Sequence, residues 1–170
     1  MKLYLLRHGD AVESSEARCK DAERPLTSKG IERTKLLAHA LRQMEISFDT
    51  ILSSPLVRAR ETAEIIARSL QLEERLAFSE NLTLSGDLQK LVGQIQSLRP
   101  IPENVLLVGH EPHLSGLISL LCVGSPSLFV ALKKGALCRL DIAVLTCGKC
   151  ATLEWLLPPR LLSFKPSKRA

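Results

Sequence analysis

Apolar residues along this chain fall into short blocks of two kinds. Some are short runs of three to six residues bounded by polar or glycine-containing turns, the pattern of a buried strand. Lys2–Arg7, Phe48–Ser53, Leu76–Phe78 and Asn104–Val108 have this form. Others recur every three or four residues over more than two turns, the pattern of a helix with one buried face. One helix follows Leu26, with Thr27 or Ser28 as N-cap and Ile31, Leu36, Leu37, Ala40, Leu41 and Met44 on its apolar face. A second is expected from Ser54-Pro55, with Ser54 as cap and Pro55 in the first turn. Its inward face would be Leu56, Ala59, Ala63, Ile66, Ala67 and Leu70. A third starts at Ser85-Gly86-Asp87 and runs to about Leu98, ahead of Pro100 and Pro102. A fourth runs from Pro112 to about Cys122. Cys138–Thr146 and Ala151–Leu157 read as a β-hairpin turning at Gly148-Lys149. Asp10 to Pro25 is polar and irregular, a loop.

Alternation of strands and helices predicts a three-layer α/β/α sandwich around a mostly parallel sheet, closed by the terminal hairpin. At 170 residues the chain suits one domain, residues 1–158, followed by a tail, 159–170. No internal repeat or low-complexity stretch interrupts it.

Hydrophobic residues make up 45%, which excludes a disordered chain, and no apolar run is long enough to span a bilayer. No secretory leader is visible, so the expected location is the cytoplasm. The net charge of +5 is mostly a property of the last thirteen residues, PPRLLSFKPSKRA, which hold four basic residues and no acid. Such a tail is usually solvated, and with aromatics at 4% a nucleic-acid partner is not expected. Five cysteines without an export signal should be reduced thiols. Cys147 and Cys150 have CxxC spacing, but no second pair completes a metal site, and a hairpin turn accounts for them.

The chemistry lies at the strand ends. The first strand delivers Arg7-His8-Gly9, the second Ser53-Ser54-Pro55 with Arg58 one turn on, the third Gly109-His110. A parallel sheet carries all three to one edge, where open α/β sheets bind ligands. Two arginines and two histidines beside helix N-termini form an anion site. His110 and His113 stand three apart, but Pro112 lies between them and no third ligand is evident, so a metal is not expected. Arg60 and Arg68 read as surface residues, and His39 as structural or surface. Arg24 either lines the site or is structural.

LRHGDA, SSPLVRARETA and VGHEP, in that order and spacing, resemble the histidine phosphatase superfamily, which includes the cofactor-dependent phosphoglycerate mutases. Aspartate after RHG, together with RPLTSKG (24–30) and LTLSGD (82–87), looks most like its SixA-type branch, the phosphohistidine phosphatases. The resemblance implies a phosphoglycerate mutase-like fold. It also implies that His8 becomes phosphorylated, that Arg7, Arg58 and His110 bind the phosphoryl oxygens, and that no cofactor or metal is required. The expected substrate is phosphohistidine on a signalling protein, such as a histidine phosphotransfer domain.

Two alternatives stay open. One is a phosphatase for small phosphate esters, which needs an acid to protonate the leaving alkoxide. Asp10, Glu80 and Asp87 are candidates, while Asn81 falls where the family's acid would align. The other is a non-catalytic phosphoprotein-binding module, against which the intact His8 argues.

Overall fold

The computed structural model describes residues 1–13, 15 and 19–162. Six strands form one mixed sheet in the order β3-β2-β4-β1-β5-β6. They are β1 (Lys2–Arg7), β2 (Thr50–Ser53), β3 (Leu76–Phe78), β4 (Asn104–Gly109), β5 (Leu137–Ile142) and β6 (Ala151–Leu157). β1 to β4 run parallel, while β5 and β6 are antiparallel additions at the β1 side.

The side-chain period of two divides the core. Leu3 and Leu5 of β1, with Val105 and Leu107 of β4, face α3 (Leu88–Ser97) and α4 (His113–Val123). Tyr4 and Leu6, with Leu106 and Val108, face α1 (Ser28–Gln43) and α2 (Val57–Leu70). Apolar runs on both faces of the central strands require helices on both sides, and the three layers follow.

Several local expectations shift. Thr27 is the cap of α1, its side chain accepting the Gly30 N–H at 3.0 Å. The buried face of α1 is Thr34, Leu37, Ala38 and Leu41, while Met44 is outside. α2 starts at Val57, not at Ser54-Pro55, because the Ser54 hydroxyl is drawn to His110. β5 ends at Ile142, so the connection to β6 is a loop of residues 143–150 rather than a two-residue turn. Cys147 is exposed there, and all five thiols are free. Beyond β6, Pro159–Leu162 forms one helical turn, α5, which buries Leu162 beside α1. The basic residues Lys165, Lys168 and Arg169 lie outside the described residues. Among the described residues no helix is long and apolar enough to cross a membrane.

Candidate active site

The register carries the three sequence blocks to one sheet edge. Arg7 pairs with Gly109 across β1 and β4, and Ser53 pairs with Val108 across β2 and β4. The chain leaves each strand at this edge, so His8, Ser54 and His110 occupy equivalent places on three adjacent strands. The His8 N–H donates to the Gly109 carbonyl at 3.0 Å, extending the ladder one residue into the site. The His8 and His110 ring centroids lie 5.0 Å apart.

His8 is buried, and its Nδ1 lies 2.8 Å from the Gly9 carbonyl. A carbonyl only accepts, so Nδ1 carries the proton and Nε2 keeps its lone pair. Burial pushes the His8 pKa down to about 4; the Gly9 carbonyl opposes this, while Arg58, Arg7 and Lys134 add to it. The ring is therefore a neutral imidazole at neutral pH. Gly9 is fixed in turn by α2, its N–H donating to Thr62 Oγ1 at 3.1 Å while that hydroxyl donates to the Arg58 carbonyl at 2.7 Å.

His110 is 1% exposed, with Nε2 2.8 Å from Ser54 Oγ. Ser54 Oγ accepts the Leu56 N–H at 3.3 Å, and among the described residues His110 Nε2 is the one acceptor within reach of its own proton, so the hydroxyl donates to Nε2. The remaining imidazole proton then sits on Nδ1, an atom that is buried and unpartnered. Burial, then His8 and Arg58, lower the His110 pKa to about 3, so this ring is neutral as well.

Both arginines reach the same place. Arg7 donates through one terminal nitrogen to the Leu132 carbonyl at 2.9 Å, and its Nε is buried without a partner. Arg58 is 2% exposed, places both terminal nitrogens on Asp21, and also leaves Nε unpartnered. Three N–H donors in this small volume thus lack an acceptor. A buried donor left without one costs about 1–3 kcal/mol, so such a cluster marks a place built to receive an acceptor-rich anion.

The candidate acids stand elsewhere. Asp10 pairs with Arg33 at 2.7 Å. Asp87 caps α3, accepting the Gln89 and Lys90 N–H groups. Glu80 is exposed in a 3-10 turn. Asn81 is held by Gln94, its amide nitrogen 3.4 Å from Oε1. His113 is buried, its Nε2 unpartnered and its pKa lowered by burial against the opposing Asn81 backbone and Asp87. Among the described residues no three His, Cys, Asp or Glu side chains are grouped so as to hold a metal. Arg24 donates to Asp21 and to the Val12 carbonyl rather than reaching His8.

Sequence reasoning placed Ser54 at the strand end and as a helix cap, without a contact to His110, and passed over Asp21, Thr62 and Lys134. RxxxT from Arg58 to Thr62 is the one local signal for Thr62, a hydroxyl one turn after the arginine. Lys134 adds to the depression of the His8 pKa from a segment with no motif of its own.

This arrangement can be set beside known proteins. The model of the histidine phosphatase superfamily (branch 1) matches residues 3–83. Phosphohistidine phosphatase SixA of Escherichia coli K12 is 30% identical over 131 residues, 76% of this chain and 80% of that protein. The chain belongs to the histidine phosphatase superfamily. An uncharacterized protein of Picosynechococcus sp. is 36% identical over 81% of this chain and 82% of its own length. A solved structure of the protein histidine phosphatase SixA complexed with tungstate superposes with a TM-score of 0.80 at 27% identity, covering 95% of this chain and 99% of that one. This superfamily member is a phosphatase with the SixA-type fold.

Proposed function

We propose that the chain hydrolyses phosphohistidine on a signalling protein through a phosphorylated His8, without a metal. The observation that carries the reading is the cluster of unpartnered donors, Arg7 Nε, Arg58 Nε and His110 Nδ1, around a histidine whose tautomer is fixed for attack.

The His8 Nε2 lone pair forms a bond to phosphorus while the phosphorus–nitrogen bond of the substrate breaks. The departing imidazole keeps that electron pair and takes a proton from solvent. Charge on the three transferring oxygens is met by Arg7, Arg58 and the His110 Nδ1–H, fixed donors in a desolvated site. Arginine suits this work because its planar fork never deprotonates. The Gly9 carbonyl holds the Nδ1–H and steadies the cation that His8 becomes. Water then bonds to phosphorus, the His8–phosphorus bond breaks, and phosphate leaves.

Substrate class follows from proton supply. An alkoxide is a poor leaving group and needs an acid. The resemblance puts Asn81 at the place of the family's acid, Asp10 and Asp87 are engaged elsewhere, and Glu80 is exposed in its 3-10 turn. A phosphoramidate needs that acid far less. The rim also suits a protein partner: Phe129, 97% exposed, stands three residues before Leu132, whose carbonyl holds Arg7.

The test is phosphate release, with chelator present, from a phosphohistidine protein and from a panel of phosphate esters, with His8→Ala as control. Preference for the protein, lost in the variant, is expected. Efficient ester turnover overturns the substrate class, and phosphate binding without any turnover overturns the enzyme.

A further inference from the structure

The Arg58 guanidinium is almost completely buried, and burial pushes its pKa below the ordinary arginine value. A desolvated cation needs an anion close by. The contact is Asp21, in the 3-10 turn Asp21–Glu23: its carbonyl takes one terminal nitrogen at 2.8 Å and its Oδ2 the other at 3.2 Å. A phosphoryl engaging Arg58 as a fork would take the free Nε together with a terminal nitrogen, and so meets this contact.

Asp21 is itself held from the far side. Arg24 donates through Nε to Asp21 Oδ1 at 2.8 Å, keeps Nη2 in ion-pair contact with the same oxygen at 2.8 Å, and donates through its remaining terminal nitrogen to the Val12 carbonyl at 2.6 Å. The carboxylate is therefore divided, one oxygen on Arg24 by two short contacts and one on Arg58 by a single longer one. The turn that carries it buries no residue, and the Asp21 side chain is 51% exposed. Of the carboxylate's two contacts, the one to Arg58 is the weaker.

We propose that Asp21 is an internal competitor for the phosphoryl group, holding the Arg58 fork in the resting enzyme and yielding it to an incoming dianion while remaining attached to Arg24. This rests on the reading of His8, Arg7, Arg58 and His110 as a phosphoryl site. It makes Asp21 a specificity-determining residue. A doubly charged terminal phosphoryl displaces a carboxylate from arginine, whereas a singly charged diester competes on equal terms and gains little. It also gives Arg24 a role: it anchors the competitor and does not touch substrate.

The experiment is calorimetric titration of inorganic phosphate into the wild type, Asp21→Asn, Asp21→Ser and Glu23→Gln at fixed ionic strength. Glu23 is exposed in the same turn, so its variant reports the effect of simply removing a negative charge nearby. The Asp21 variants are expected to bind phosphate about fivefold more tightly, the scale of one ion pair, and Glu23→Gln less than twofold. The KM for substrate should fall with the phosphate Kd, with no gain in kcat. Unchanged or weaker phosphate binding in both Asp21 variants, or an equal gain in Glu23→Gln, overturns the inference. Absence of phosphate binding in the wild type at millimolar concentration overturns the phosphoryl site itself, a separate result.

Discussion

Ser54→Ala tests whether the tautomer of His110 is set by its neighbour. Ser54 is fully buried, and its hydroxyl is the recorded partner of His110 Nε2, at 2.8 Å. The substitution removes one oxygen and leaves both Nε2 and the Leu56 N–H without that partner. A buried nitrogen stranded in this way costs about 1–3 kcal/mol. For a chain of this size each kcal/mol lowers Tm by roughly 2–4 °C, so a fall of about 2–12 °C is expected. The effect on activity is separate. Without the hydroxyl, the His110 proton is free to move to Nε2, and the Nδ1–H donor is then missing from the fraction of molecules in that form. Complete loss of an oxyanion donor costs about 10²–10³ in rate, so partial loss should lower kcat/KM about 10- to 100-fold, or about 1.4–2.7 kcal/mol. Phosphate release gives the rate, and nitrogen NMR of labelled histidine gives the tautomer directly. If kcat/KM stays within twofold of wild type while Tm falls as expected, Ser54 is a packing residue and the tautomer argument is wrong.

Two further outcomes follow. His8 and His110, held at about 4 and about 3, are neutral in the fold and protonate near 6.5 when unfolded, so the unfolded chain binds more protons across that interval. Stability is full above pH 6.5 and is lost as pH falls toward 4, by at most about 1.4 kcal/mol per pH unit per histidine; a urea midpoint that stays flat from pH 7 to 5 contradicts the assigned neutral rings. Gly30→Ala should destabilise by about 2–4 kcal/mol despite the helix preference of alanine, because the new Cβ would stand 2.1 Å from the Asp10 carbonyl oxygen, two residues after His8; a neutral or raised urea midpoint refutes that.

The strands and the histidine and arginine positions were legible because their signals are local. β1 matches its expected span, and Asp87 caps α3 one residue ahead of Leu88 as the SGD turn suggested. What was not legible depends on contacts between segments distant in sequence. Ser54-Pro55 has every local feature of a helix start, yet the histidine just past β4 takes the hydroxyl and α2 begins at Val57. Leu36 and Ala40 fit the apolar stripe of α1 as well as Thr34 and Ala38 do. Thr34 goes inward because its hydroxyl is satisfied by the Gly30 carbonyl at 2.8 Å and lies beside Gly9. Asp21 carries no signal in a polar loop, since its importance comes from Arg58, brought to it by the fold.

The position of β1 in the sheet has a consequence for how the protein acquires its shape. This strand is made before the rest of the sheet, yet its neighbours are β4, where Lys2 meets Asn104, and β5, where Lys2 meets Asp141. Until those later segments emerge, a largely apolar strand that leads into His8 has no partner on either edge. Pairings this remote in sequence are slow to form and leave strand edges open to wrong associations meanwhile. Folding of the nascent chain is thus governed by the segments from β4 onward, and truncations ahead of β5 should yield aggregates rather than a weakened enzyme.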